Sequence, residues 1–366
     1  MLQENDLLPL RAVHHVELYV GNARQSAYYY RQAFGFSLVA YKGPETGCRD
    51  FASYVLQQDR IRLILSTPLY AQHPMSEFLK THGDGVRDIA IETSDAEKCF
   101  NITTANGAKA ISEPTVYQDE SGSVKLATVA AYGDTVHTFV EKNDYRGAFL
   151  PTFKATGKDP LARPVGLKMI DHIVGNMNWN EMNSTVDFYG KVFGFQRFVS
   201  FDDKDISTEY SALRSTVVSN QNKWIKFPIN EPAEGKRKSQ IEEYIEFNNG
   251  PGVQHVAMIT DDIVTTISKM KAQGVDFLTV PSTYYDELLD RVGPIDEDIK
   301  RLSELGILID RDESGYMLQL FTKPVEDRPT LFYEIIQRKG AESFGKGNFK
   351  ALFESIEREQ ALRGNL

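Results

Sequence analysis

The chain has 366 residues, 41% hydrophobic and 25% charged, with 41 Lys and Arg against 51 Asp and Glu for a net charge of −10. At about 150 residues per domain this length excludes a single small module, and the composition excludes a disordered chain or a disulfide scaffold. The acidic balance weighs against nucleic acid or an anionic membrane as partner, and no apolar run approaches the roughly 18 residues of a membrane-spanning helix. The opening MLQENDLLPL lacks a signal-peptide pattern, and the only cysteines, Cys48 and Cys99, suit a reducing compartment. The expectation is a soluble cytoplasmic protein that handles a small molecule.

In chain order, the alternation of apolar residues predicts a strand over 14–20 and then a helix ending in Phe-Gly-Phe, with Gly35 as its left-handed cap. Strands are expected over 51–56, 61–66 and 86–92, a helix over 96–106 stopped by Gly107, and strands over 124–130 and 136–141. The series then begins again. Residues 12–40 run parallel to 169–199, GDGVRDIAIETSD from Gly83 to GPGVQHVAMITDD from Gly250, and GDTVHTFVEKNDYRG from Gly133 to EDRPTLFYEIIQRKG from Glu326. Three matches in the same order indicate a duplication, each copy an α+β module of two βαβββ units. A Gly- and Pro-rich run from about Asn143 to Gly166 reads as a linker, and the domains are set at 1–150 and 167–366 with 151–166 between them. The second copy is longer before its last strands, where residues 282–307 read as helical, and it carries a tail from Phe344 that the first lacks.

Three residues of the second copy have metal-binding chemistry at corresponding strand positions. His172 lies on a strand over 172–177, His255 on one over 253–259 and Glu334 on one over 331–336. His255 shares a face with Val253, Ala257 and Ile259, and Glu334 with Phe332 and Ile336. A carboxylate on an apolar face must be paired or bound to metal. Two imidazoles and one carboxylate form the facial triad of non-haem Fe(II) sites, with positions left open for a chelating substrate and dioxygen. The corresponding residues of the first copy are read as His15, Asp88 and Glu141, a set poorer in imidazole, with Asp88 expected to be held by Arg87 or another local base and the site expected to be vestigial.

At these residues the chain resembles the 4-hydroxyphenylpyruvate dioxygenases of the vicinal-oxygen-chelate superfamily. PINEP from Pro228, GKRKSQI from Gly235, GVQHVAM from Gly252, the long run from Glu304 and FGKGNFKALFESIE from Phe344 carry the resemblance. It implies two glyoxalase-like domains with half-open β-barrels, one Fe(II) per chain on His172, His255 and Glu334, a metal-free structural first domain, and a homodimer or homotetramer. The implied reaction takes 4-hydroxyphenylpyruvate and O2 to homogentisate and CO2 in tyrosine catabolism. Ser215, Asn230, Gln240, Gln254 and Gln319 match polar pocket positions, and Pro228, Phe321, Phe332, Phe344, Phe349 and Phe353 the pocket wall. Read by itself, Gln240 after the basic run KRKS would be a solvated residue. Phe349, Leu352, Phe353 and Ile356 form a helical apolar stripe behind Gly345 and Gly347, which reads as a lid closing over the metal positions. Two alternatives stay open: a 4-hydroxymandelate synthase acting on the same substrate, and a non-catalytic binding protein of the same fold. Extradiol cleavage fits less well, because the second half has no further histidine to move a proton.

Overall fold

A computed structural model describes residues 7–201, 210–286 and 288–365. The first module runs β1 (Leu10–Tyr19), α1 (Ala23–Ala33), β2 (Ser37–Lys42), β3 (Phe51–Gln58), β4 (Ile61–Pro68), α2 (Pro74–His82), β5 (Gly85–Thr93), α3 (Ala96–Ala105), β6 (Ala110–Asp119), β7 (Gly122–Ala130) and β8 (Val136–Glu141), followed by a short β9 (Lys154–Ala155). The second runs β10 (Leu167–Asn176), α4 (Met182–Phe188), β11 (Gln196–Phe201), β12 (Ala212–Ser219), β13 (Lys226–Ala233), α5 (Gln240–Asn248), β14 (Gly252–Thr260), α6 (Ile263–Ala272), α7 (Leu288–Val292), α8 (Ile299–Leu305), β15 (Leu308–Asp312), β16 (Gly315–Phe321), β17 (Phe332–Lys339) and α9 (Phe349–Leu362).

Each module is one curled sheet, ordered β6-β7-β8-β5-β1-β4-β3-β2-β9 and β11-β12-β13-β10-β14-β17-β16-β15. Local chemistry sets the helix ends. Asn22, Asp95 and Asp262 cap their helices by accepting from the backbone N–H three residues on, and Ser239 and Glu242 form a reciprocal capping box on α5. Gly35 and Gly194 take the left-handed conformation where the Phe-Gly-Phe segments leave their helices, at φ of 74° and 71°.

The two modules share one continuous core and two matching cross-links. The Tyr30 hydroxyl meets that of Tyr333 at 2.8 Å, and that of Tyr189 meets His137 Nε2 at 2.8 Å. Tyr30 and Tyr189 occupy the same place in the repeated helix, so each module reaches into the other through the same position.

Three features go beyond the sequence reading. The segment read as linker is built into the first module: β9 pairs with β2, the Asp159 carboxylate accepts from Nε and Nη2 of Arg31, and Tyr145, Phe149 and Leu150 fill the half-barrel against Val55, Ile64 and Ala90. Strand β6 is an exposed edge strand containing Pro114, which costs little there because an edge residue has a free N–H side. The insertion 282–307 is broken into a single turn and two short helices, α7 and α8, separated by Gly293 and Pro294.

Candidate metal centre

Strand β10 pairs with β14, and β14 with β17, in a register that sets His172 opposite Ala257, His255 opposite Val174 and Glu334 opposite Ala257. Three strands therefore carry the three side chains to one point inside the second half-barrel. His172 Nε2 lies 3.1 Å and His255 Nε2 3.4 Å from the same oxygen, Oε2 of Glu334, and one donor atom from each residue falls within 4.8 Å of the others. All three side chains are buried.

The electrostatics favour a bound cation. Burial alone would raise the Glu334 carboxyl, yet the two imidazoles outweigh it and hold the group down at about 2. Burial lowers His255, whereas for His172 the carboxylates of Glu334 and Asp171 overcome the same penalty and raise it. Behind His172, Asp171 Oδ2 accepts from Nδ1 at 2.8 Å, and Asp171 itself is gripped by Arg338 through both oxygens at 2.9 Å and by Lys226 at 3.2 Å. His255 Nδ1 lies 3.0 Å from Gln254 Oε1. Each imidazole thus turns Nδ1 to an acceptor and Nε2 to the centre, the arrangement that orients metal ligands. A facial set of two neutral imidazoles and one carboxylate fits a divalent iron ion.

Sequence reasoning missed Asp171 because adjacent residues on a strand should point to opposite faces. A β-bulge between Ile170 and His172 breaks that alternation and brings both inward.

The triad lies in a largely apolar cavity. Ser215, Asn230, Gln240, Gln254 and Gln319 all line it, as do Pro228, Phe321, Phe332, Phe344, Phe349 and Phe353. Ser215 and Asn230 are cross-strand neighbours on β12 and β13. Gln240 is buried rather than solvated, because the Ser239 cap starts α5 inside the domain. The buried Gln319 Oε1 has no hydrogen-bond partner, so the cavity offers an acceptor that awaits a donor. Phe332 stacks on the His255 ring at 4.7 Å, and Phe344 meets His172 edge-on at 5.1 Å. The wall also contains Val174, Phe201, Leu213, Val217 and Leu352, whose aliphatic and aromatic character does not distinguish them in sequence from ordinary core.

Helix α9 closes one side with Phe349, Leu352 and Phe353. Its end is held by Arg363, which donates to both Glu243 oxygens at 3.0 and 2.7 Å, and by Asn365, which donates to the same carboxylate. Its start is held by the insertion and by β15: the Tyr284 hydroxyl donates to Asn348 Oδ1, and Gly347 N–H donates to Asp310. The two glycines ahead of the helix allow close approach: a Cβ on Gly345 would lie 2.2 Å from Gln319 Oε1, and one on Gly347 2.4 Å from Asp310 Oδ1.

The first module corrects the expected counterpart of this site. Asp88 pairs with Val136 as His255 pairs with Phe332, so the position matching Glu334 is Thr138, and Glu141 matches Gln337. The hydrogen bonds agree, since Glu141 accepts from Ala96 N–H at the start of α3 just as Gln337 accepts from Ile263 N–H at the start of α6. Glu141 therefore cannot join His15 and Asp88. Nor does Arg87 hold Asp88: its guanidinium donates to the Asp134 carbonyl, and Asp88 accepts from Thr138 N–H at 3.0 Å.

The chain matches the Glyoxalase/Bleomycin resistance protein/Dioxygenase superfamily over residues 12–127 and 169–320. It is 49% identical to 4-hydroxyphenylpyruvate dioxygenase of Aspergillus fumigatus, covering 99% of this chain and 96% of that protein. With the protein of the same name from Dictyostelium discoideum it is 50% identical over 96% of this chain and 99% of the other. Among solved structures, a triple mutant of 4-hydroxymandelate synthase from Streptomyces coelicolor superimposes with a TM-score of 0.86 at 33% identity, covering 96% of this chain and all of that one.

Proposed function

The chain belongs to the 4-hydroxyphenylpyruvate dioxygenase family, within the glyoxalase superfamily, and from that premise we propose that it converts 4-hydroxyphenylpyruvate and O2 to homogentisate and CO2 in tyrosine breakdown. His172, His255 and Glu334 would hold one Fe(II) per chain. When bound, the ion supplies a Lewis-acidic, redox-active centre for a 2-oxo acid and dioxygen.

The chain's own residues orient the substrate and keep water out. Gln319, with its unpartnered buried oxygen, and Ser215, Asn230, Gln240 and Gln254 present neutral hydrogen-bonding groups suited to a phenol or a carboxylate, which do not compete for the metal as a charged side chain would. Phe321, Phe332 and Phe344, with Phe349 and Phe353 from α9 and the pyrrolidine ring of Pro228, form an apolar sleeve of the right character for an aromatic ring. A closed helix over that sleeve sequesters reactive chemistry from solvent. The observation that carries the reading is the pairing of a two-histidine, one-carboxylate cluster with this aromatic cavity under a clamped helix.

The 33%-identical synthase structure gives the second reading, benzylic hydroxylation of the same substrate to 4-hydroxymandelate. Aerobic turnover of the Fe(II)-loaded protein with product identification separates the two: homogentisate supports the proposal, 4-hydroxymandelate replaces it, and substrate binding without consumption leaves a binding protein. The family supports a homodimer or homotetramer, which light scattering would check. The free thiols of Cys48 and Cys99 support a cytoplasmic setting; no helix among the described residues is long and apolar enough to cross a membrane.

A further inference from the structure

We propose that the first module binds a small divalent oxyanion of the phosphate class, in a groove lined by Arg11, Arg60 and Arg62. The groove opens beside β1 and the β3–β4 turn, with Asp59, Glu92 and Trp224 also on its walls.

The duplication shows what is unusual there. In the second module, Asp171 sits between Lys226 and Arg338 and neutralises both. The strand registers assign each of the three a counterpart. His14 occupies the bulge in β1 that Asp171 occupies in β10. Arg62 stands where Lys226 stands, because Tyr19 pairs with Ser66 as Asn176 pairs with Asn230. Lys142 follows Glu141 as Arg338 follows Gln337. Both cations are therefore kept in the first module, and the carboxylate between them is replaced by an imidazole.

His14 does not restore the balance. Its Nδ1 lies 2.7 Å from that of His15, and burial, with the neighbouring positive charges of Arg62 and Lys142, keeps it neutral. Among the described residues the Arg62 side chain makes no hydrogen bond and no ion pair within 4 Å, its carboxylate neighbour being the more distant Glu92, and Lys142 lies over the Tyr145 ring at 5.4 Å. The acidic groups facing the groove are already shared: Glu92 accepts from Arg11 at 3.2 Å, and Asp59 lies 3.6 Å from Lys168. Arg60 is exposed and rests over the Trp224 ring at 5.9 Å. A chain of net charge −10 thus gathers three arginines on one concave surface, where half-buried Arg62 has no ion pair of its own and shares the field of Glu92, which is already paired with Arg11. Guanidinium groups present paired N–H donors that match tetrahedral oxyanions, and two negative charges suit this surplus better than one.

Isothermal titration calorimetry of the Fe(II)-loaded protein, anaerobic and at low ionic strength, tests the site with inorganic phosphate against chloride at matched ionic strength. The proposal predicts saturable binding of one phosphate per chain, at least tenfold weaker in Arg62→Met and several-fold weaker in the exposed-site variant Arg11→Met. It also predicts that His14→Asp, which returns to the first module the carboxylate that Asp171 supplies in the second, abolishes binding while retaining a folded thermal transition. Binding no stronger than chloride, or equal affinity in Arg62→Met and Arg11→Met, overturns it. So does phosphate binding that survives all three changes and is lost in His255→Ala, because the anion would then be seated on the metal.

Discussion

At the scale of single residues, the metal site depends on a partner one position away in sequence. Asp171 fixes the His172 ring, and Arg338 and Lys226 fix Asp171. Replacing Asp171 by Asn keeps the shape but removes the charge that orients the imidazole, so Fe(II) affinity should fall about 10- to 100-fold, measured by competition with a chelator. Asp88 makes a different prediction. Burial raises its carboxyl from 3.8 to about 7, and the hydrogen bonds from Thr138 do not reverse this. An acid raised in the folded state binds its proton longer there than when unfolded, so its contribution is most favourable below pH 4, is lost progressively between pH 4 and pH 7, and stays lost above. Asp88→Asn should therefore leave thermal stability unchanged near pH 4 and raise it at pH 8, by an amount on the order of a few kcal/mol; equal shifts at both pH values would show that the carboxyl ionises freely in the fold. These residues also mark what sequence could reveal. His172, His255 and Glu334 were legible because polar residues recur at matching strand positions of a repeat. Asp171 needed the bulge, and Thr138 was hidden because the sequence match aligned Glu141 with Glu334 while the backbone register aligns it with Gln337.

At the scale of elements, α9 walls one side of the cavity and is clamped at both ends. The clasp of Arg363 and Asn365 on Glu243 is partly exposed on the arginine side, whereas the Glu243 carboxylate is buried. Arg363→Ala should loosen the helix end and lower kcat/KM several-fold while Fe(II) affinity stays unchanged, which steady-state kinetics and metal titration can separate. Gly345→Ala should be more severe, because φ of 78° is unfavourable to a side chain and the new methyl would strike Gln319; the strained backbone alone costs about 1 kcal/mol, and displacement of Gln319 should reduce turnover further. The apolar stripe of α9 was legible from its helical spacing. The clasp was not, since nothing in sequence joins residue 363 to residue 243. The strap through Tyr145, Phe149 and Leu150 was obscured in the same way: its glycines and prolines suggested a tether, and its aromatic residues are what fill the first half-barrel.

At the scale of the whole molecule, a continuous core and two related hydrogen bonds join the modules. Removing the Tyr189 hydroxyl leaves His137 Nε2 buried without its partner, so Tyr189→Phe should destabilise the protein by about 1–3 kcal/mol. Calorimetry should still show a single transition, because the core residues that Tyr189 packs among belong to both halves; two separated transitions would mean that the modules fold independently. The duplication itself was legible, and it supplied the α+β class and the order of the strands, but it could not show that one copy fills its half-barrel with its own chain and the other leaves a cavity. The division of labour between the copies is tested most directly by anaerobic titration of the metal-free protein with Fe(II) in the presence of 4-hydroxyphenylpyruvate, followed by visible absorption. One equivalent of iron should develop a charge-transfer band that is lost in Glu334→Ala and kept in Glu141→Ala. A band that persists without Glu334, or saturation at two equivalents, would contradict a single iron centre on His172, His255 and Glu334.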